Sequence, residues 1–239
     1  KVLNAGYVTT FNEYAIVSEN RITPIPKDYP LEIAPLYGCA VTTGFGVIEN
    51  NAKLKMGESI VVVGTGGVGL NVIQCAKLYN ANPIVAVDLS DKKLELAREI
   101  GATHSINNQN ELSWKEKINN IVGDDGADVC IDNTGNADII SYCYDLTKAK
   151  GRTILVGVPG KGIKVSLSTL PLHFGKKLIG SHGGEINPTD DIIKYLKLEG
   201  LNHFSLNSQI SEITNFKNIN KCIKKMRELE TVGKIILSF

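Results

Sequence analysis

Six consecutive residues, Gly64-Thr65-Gly66-Gly67-Val68-Gly69, and an aspartate 19 positions beyond the last of them, Asp88, have the types and spacing to hold a dinucleotide. Glycines let a chain turn tightly and let its backbone approach a ligand closely. A helix opening after such a turn presents free N–H groups and the positive end of its dipole, which suits a pyrophosphate. A carboxylate about 20 residues on can accept both hydroxyls of an adenosine ribose and would repel a 2′-phosphate, so the pattern favours NAD over NADP. A plain strand-to-helix turn with a capping aspartate uses the same residue types, so the flanking elements decide.

Those elements are present. Ile60–Val63 is an apolar, β-branched run, as a parallel strand buried on both faces requires. Leu70–Leu78 follows with helical spacing, Val72, Ile73, Cys75 and Ala76 flanking one side. Pro83–Val87 reads as a second strand and ends at Asp88. The alternation continues: a helix after Ser90 (its N-cap) stopping at Gly101, a strand at His104–Asn107, a helix at Glu111–Val122, a strand at Ala127–Asp132, a helix at Ala137–Leu146, and strands at Arg152–Val156 and Lys177–Ser181. Strands alternating with helices predict an α/β fold, a doubly wound six-stranded parallel sheet. Ligands in such sheets lie at the carboxyl ends of the strands. Gly64–Gly69, Asp88, Asn133–Gly135 and Val156–Val158 all fall there, which adds Asn133, Val156 and Val158 to the candidate contacts.

Outside the repeat the pattern changes. Leu31–Glu49 is helical but interrupted by Gly38, Gly44 and Gly46, which predicts two helices with a break near Thr42-Thr43-Gly44. Pro188–Leu198 and Asn215–Leu229 read as helices. The second sets Phe216, Ile219, Ile223 and Met226 against Lys217, Lys221, Lys224 and Lys225, the amphipathic signature of a solvated helix face. Phe11–Val17 and Lys234–Phe239 read as strands that pair with each other in a second lobe.

With 26 basic and 25 acidic residues, the net charge of +1 offers no electrostatic case for nucleic acid or a membrane surface. No apolar run approaches the ~20 residues of a membrane span. The five cysteines, Cys39, Cys75, Cys130, Cys143 and Cys222, are odd in number and form no C-x-x-C pair. That argues against a disulfide framework and for a reducing, cytoplasmic setting.

Taken in order, Phe11-Asn12-Glu13-Tyr14, the block Gly38-Cys39-Ala40-Val41-Thr42-Thr43-Gly44-Phe45-Gly46, Gly64–Gly69, Asp88, Gly101-Ala102-Thr103, Gly157-Val158-Pro159 and the ending Gly233–Phe239 resemble the zinc-dependent alcohol dehydrogenases of the medium-chain dehydrogenase/reductase family. The resemblance implies a Rossmann sheet at 41–181, a remnant of a GroES-like catalytic domain at 1–40, and a segment at 182–239 returning to that domain. It implies that Cys39 is one ligand of a catalytic zinc and that the Thr43 hydroxyl touches the nicotinamide. Gly64, Thr65, Gly66, Gly67, Val68 and Gly69 would hold the pyrophosphate turn of NAD, and Asp88 and Lys93 the ribose. Val156 and Val158 would lie near the nicotinamide, His182 would line the crevice, and Lys234 would replace an arginine near the pyrophosphate. It also implies a homodimer or homotetramer joined through the edge strand Lys177–Ser181.

The departures are as informative. The family's other zinc ligands, its structural zinc lobe and its proton-relay hydroxyl come from a segment preceding the position of Lys1. His104, His173, His182 and His203 match no ligand position. The chain therefore reads as the C-terminal portion of such an enzyme, inactive in isolation, whose parent moves a hydride between an alcohol and NAD. Three other readings use the same residues: a zinc-free NADPH-dependent quinone or enone reductase, a non-catalytic NAD-binding module, and a methyltransferase using adenosyl-methionine.

Overall fold

The computed structural model describes residues 11–109, 113–228 and 230–239. Its centre is a six-stranded, all-parallel sheet made of β1 (Ile60–Val63), β2 (Ile84–Asp88), β3 (His104–Asn107), β4 (Ala127–Asp132), β5 (Thr147–Leu155) and β6 (Lys177–Gly180). The spatial order is β3-β2-β1-β4-β5-β6, the doubly wound order expected from the strand–helix alternation. The order reverses between β1 and β4, which makes the crevice beyond their carboxyl ends the natural ligand position.

Alternation along each strand sends side chains to two separate cores. Ile60, Val62, Ile84, Ala86, Val129 and Ile131 pack on one face, with α1 (Ala40–Gly46), α2 (Gly67–Leu78) and α3 (Asp91–Ile100) contributing Phe45, Leu70, Ile73 and Leu94. Val61, Val63, Val85, Val87 and Cys130 pack on the other, under Ile118 of α4 (Trp114–Val122) and Cys143 of α5 (Ala137–Leu146). The first core also takes Tyr195 and Leu196 of α6 (Pro188–Gly200), with Phe204 and Leu206 after it. Four of the five cysteines are buried and all five are free thiols; Cys39 is the exposed one. Among the described residues no helix is long and apolar enough to cross a membrane.

Several expectations are corrected. Residues 11–17 form no strand, and Phe11, Tyr14 and Ile16 are exposed. The C-terminal strand β8 (Lys234–Ser238) pairs instead with β7 (Ile210–Asn215), in parallel, through α7 (Ile219–Arg227). A helical crossover closes such a pair within one short stretch of chain, whereas pairing with residue 11 would close a loop of more than 200 residues. The strand β7 and a 3-10 turn, Phe216–Asn218, thus occupy the start of the helix expected from Asn215; its last residue, Leu229, and Glu111, the expected start of α4, lie outside the described residues. The helix expected to break near Thr42-Thr43-Gly44 runs straight through that point. The break comes earlier, at Cys39 (φ −154°, ψ −59°), and a π-helical turn, Val47–Ala52, follows α1. Gly44 and Gly46 serve close packing rather than helix breaking: a Cβ on Gly44 would stand 2.6 Å from Asn71 Cβ of α2, and one on Gly46 would overlap the carbonyl of Gly184. Ser90 takes the N-cap position of α3 without a side-chain cap; its own N–H is donated to Asp88 Oδ1 at 3.1 Å.

Candidate functional site

The chain leaves β1 through Gly64, whose φ of +90° only glycine adopts without strain, and enters α2 three residues later. A Cβ on Gly69 would overlap the Gly64 carbonyl oxygen, so the two glycines let the first turn of α2 sit directly against the end of β1. Around Gly66 there is open space, and the α2 N-terminus has no side-chain cap. Its amide groups therefore face a gap that an anion would fill. Lys234 reaches that gap from β8. Its Nζ lies 2.9 Å from where a Cβ on Gly67 would stand, with its methylenes against Gly67 itself. An ammonium at the positive end of a helix is unfavourable alone and favourable with an anion between them.

Asp88 closes β2 and faces the same loop. Its Oδ2 accepts the N–H of Thr65 at 2.7 Å and the Thr65 hydroxyl at 3.0 Å. Its Oδ1 accepts Ser90 N–H and stands 3.9 Å from Lys93 Nζ. Thr65 is fully buried, so it approaches the carboxylate from the protein side. Three donors leave lone-pair capacity on the carboxylate for a further donor.

The third strand end is β4. Asn133 donates its Nδ2 weakly to the carbonyls of Val63 and Gly64 at 3.4 and 3.3 Å, while its buried Oδ1 has no hydrogen-bond partner. Beside it Asp132, fully buried, holds the next turn: Oδ1 accepts Thr134 N–H at 2.9 Å and the Thr134 hydroxyl at 2.6 Å, and Oδ2 accepts Gly135 N–H at 3.0 Å. The Asp132 carbonyl in turn accepts Val156 N–H at 2.8 Å and Gly157 N–H at 2.9 Å, which ties the end of β5 to the end of β4. Val156 is half-buried and Val158 is exposed. The sequence pattern singles out Asn133 and Thr65 but not Asp132. A polar residue closing an apolar strand, followed by Asn-Thr-Gly, was the available signal for Asp132.

Cys39 and Thr43 lie on α1 and the bend before it. Cys39 Sγ is 3.9 Å from Thr43 Oγ1, the cysteine exposed and the threonine mostly buried. Thr43 is held from behind: a Cβ on Gly184 would come within 2.7 Å of the Thr43 carbonyl oxygen. That glycine belongs to the turn carrying the exposed His182, and its N–H is donated to Ser181 Oγ at 3.1 Å. The π-helical turn after α1 is anchored by Glu49, which accepts from the Tyr195 hydroxyl at 2.9 Å, Lys194 Nζ at 2.6 Å and the Tyr79 hydroxyl at 3.2 Å. Burial, reinforced by that carboxylate, pushes the Tyr79 phenol up to about 12 and the Tyr195 phenol well above its ordinary value.

A model described as zinc-binding dehydrogenase matches residues 67–198, more than half of the chain. The chain belongs to this family. The S-(hydroxymethyl)glutathione dehydrogenases of Paracoccus denitrificans and Saccharomyces cerevisiae are 30% and 31% identical to it over 237 residues, covering 96% of this chain and 63% and 61% of theirs. Among solved structures, benzyl alcohol dehydrogenase from Acinetobacter calcoaceticus superposes with a TM-score of 0.86 at 29% identity, over 94% of this chain and 62% of that one. An alcohol dehydrogenase zinc-binding domain protein from Burkholderia ambifaria gives 0.85 at 28%, over 94% and 60%. This zinc-binding dehydrogenase chain thus spans about 60% of the length of the relatives it matches.

The two groups the family implies fit the chain differently. A dinucleotide fits: an uncapped helix end with a cation across it, a carboxylate with spare acceptor capacity and an orphaned buried acceptor at Asn133 all lie at the carboxyl ends of β1, β2 and β4. A zinc ion does not. Among the described residues no three His, Cys, Asp or Glu side chains converge, and the sequence up to Cys39 contains no histidine and no other cysteine. A catalytic zinc takes three protein ligands and an open position.

Proposed function

We propose that the chain is the NAD-binding part of an oxidoreductase that moves a hydride between a small-molecule alcohol or aldehyde and NAD. One observation carries this reading. The turn between β1 and α2 packs too closely for any residue but glycine at Gly69, leaves the α2 N-terminus uncapped, and has Asp88 on one side and Lys234 on the other. In this reading the α2 amides and Lys234 take the pyrophosphate, and Asp88 accepts the ribose hydroxyls with Lys93 beside it. Gly64, Thr65, Gly66, Gly67, Val68 and Gly69 form the cradle. Asn133 Oδ1 accepts a donor from the cofactor, and Thr43, Val156, Val158 and His182 border the nicotinamide end. When bound, NAD supplies the hydride chemistry; the protein's part is placement. Asp88 would repel a 2′-phosphate, which supports NAD over NADP and disfavours the NADPH-dependent reductase.

Cys39 is the ligand this chain offers to a zinc site, and the family relationship supports assigning the metal to the whole enzyme. We assign 1–40 to a catalytic domain, 41–181 to the dinucleotide domain and 182–239 to a returning segment. Subunit pairing through β6 is supported by its edge position and by exposed Leu170 and Phe174 on the turn that leads into it. Five free thiols suit a cytoplasmic setting.

Calorimetric titration with NADH and then NADPH, with zinc content measured on the same sample, tests the reading. NADH is expected to bind, NADPH to bind more weakly, Asp88→Ala to lose about tenfold or more in NADH affinity, and zinc to stay well below one equivalent. Failure to bind either nucleotide overturns it, and stoichiometric zinc overturns the view that Cys39 lacks partners here.

A further inference from the structure

Asn71 and Gln209 are polar and fully buried, one on α2 and one at the end of the 3-10 turn that leads into β7. Burying an amide costs free energy unless its groups are satisfied, and an apolar residue of similar shape would fill the same space at lower cost. These two satisfy each other. Asn71 Nδ2 donates to Gln209 Oε1 at 2.8 Å, and Gln209 Nε2 donates back to Asn71 Oδ1 at 3.2 Å. The pair has two outward connections. Asn71 Nδ2 also donates to the Gly67 carbonyl at 2.8 Å, and Gln209 Nε2 also donates to Gln74 Oε1 at 3.0 Å, whose own Nε2 is donated to the Ser205 carbonyl at 2.9 Å.

The contacts close into a ring. Gln209 lies with its backbone carbonyl against Gly233, where a Cβ would meet the carbonyl carbon at 2.8 Å and where φ is +81°. The residue after Gly233 is Lys234, and Lys234 returns to Gly67. Gly67, Asn71, Gln209, Gly233 and Lys234 thus form one circuit, with the amide pair as its only side-chain hydrogen-bonded link between α2 and the β7–β8 unit among these five residues. A reciprocal amide pair is satisfied in one register, whereas an apolar contact tolerates sliding.

We infer that Asn71 and Gln209 are positioning residues for the pyrophosphate half of the site: the pair sets the β7–β8 unit on α2 so that the Lys234 ammonium stands over Gly67. This rests on the reading of Lys234 as a pyrophosphate contact. The pair touches no ligand itself; it acts through Lys234.

The test is calorimetric titration of the full chain with NADH, and with adenosine as a probe that reaches Asp88 but carries no phosphate. The paired replacement Asn71→Leu with Gln209→Met removes both partners at similar volume, so neither member of the pair is left stranded; Gln74 Oε1 loses its donor as well, and Gln74→Met alone is the control for that loss. It is expected to lower NADH affinity about tenfold, the scale of one displaced charge-assisted contact, and to leave adenosine affinity unchanged. In a Lys234→Met background the same pair is expected to cause no further loss. An unchanged NADH affinity, an equal loss for adenosine, or an equal loss with and without Lys234 overturns the inference while leaving NAD binding by the chain intact. Absence of NADH binding by the unmodified chain overturns both. Gln209→Glu is the second variant should the pair not fold. It keeps the acceptor for Asn71 Nδ2 and loses the donor to Asn71 Oδ1, and additivity with Lys234→Met would again overturn the inference.

Discussion

At the carboxyl edge of the sheet, Asp88 and Asp132 each take three donors from neighbouring backbone and threonine groups, whereas the cleft beside Cys39 is lined mainly by apolar side chains. That cleft, of about 550 Å³, is walled by Leu36, Ile219, Ile223, Met226, Ile236 and Phe239. The two regions share Lys234 and little else. At the sheet edge, loops that have left the strand ladder are held by the buried Asp132 and the partly buried Asp88, so their conformation follows from hydrogen bonds internal to the chain. In the cleft, half-exposed apolar side chains face two thiols, the exposed Cys39 and the buried Cys222, and nothing internal specifies what lies opposite. The half of the site proposed to hold a dinucleotide is thus preorganised by this chain, while the half proposed to meet substrate is a surface.

If the comparison is right, substitutions at the sheet edge cost stability and substitutions in the cleft do not. Asp132→Ala removes an acceptor of three bonds and strands the N–H groups of Thr134 and Gly135. Urea unfolding should show a loss of about 3 kcal/mol or more, together with loss of NADH binding. A loss under 1 kcal/mol would break the contrast. Gly69→Ala forces a methyl against the Gly64 carbonyl. It should cost about 1–3 kcal/mol and weaken NADH binding beyond what that destabilisation explains.

A smaller effect separates the two ends of the sheet by pH. Burial by itself would raise the carboxyls of Glu58 and Asp128, but Arg152 and the Lys55 N–H on the first, and Lys148 and Ser59 on the second, outweigh it and hold both below the usual range. Carboxylates depressed in the folded state contribute stability above their unfolded values, near 4, and that contribution is lost as pH falls through the folded values. The urea midpoint should therefore drop between about pH 5 and pH 3, and less steeply in Glu58→Gln with Asp128→Asn. An unchanged slope would remove these two groups from the acid response.

The smallest effects belong to the cleft. Cys39→Ser and Ile223→Lys, at exposed positions, should each change stability by less than about 0.5 kcal/mol. A thiol reagent should label one cysteine per folded chain rapidly, Cys39, and the remaining four only on unfolding. Rapid labelling of a second thiol would show that the cores are looser than the carboxyl edge implies.

Much of this was legible before any coordinates. The six parallel strands follow from short continuous apolar runs alternating with helices of period 3.6, and the candidate ligand edge from the glycines and aspartate that end the strands; these are local patterns, carried by residues a few positions apart. What tertiary structure decided is non-local. The partner of β8 is β7 and not residues 11–17, because a short crossover closes at far lower entropic cost than a loop spanning the chain. Gly44 and Gly46 sit inside a continuous helical stretch, because α2 and the Gly184 turn press against them. Asp88 has one oxygen committed to Thr65, and Asn71 finds its partner 138 residues away in Gln209. Spacing along a chain can announce that a carboxylate or an amide is present at a strand end or on a helix, but which way it turns depends on donors that only packing brings within 3 Å.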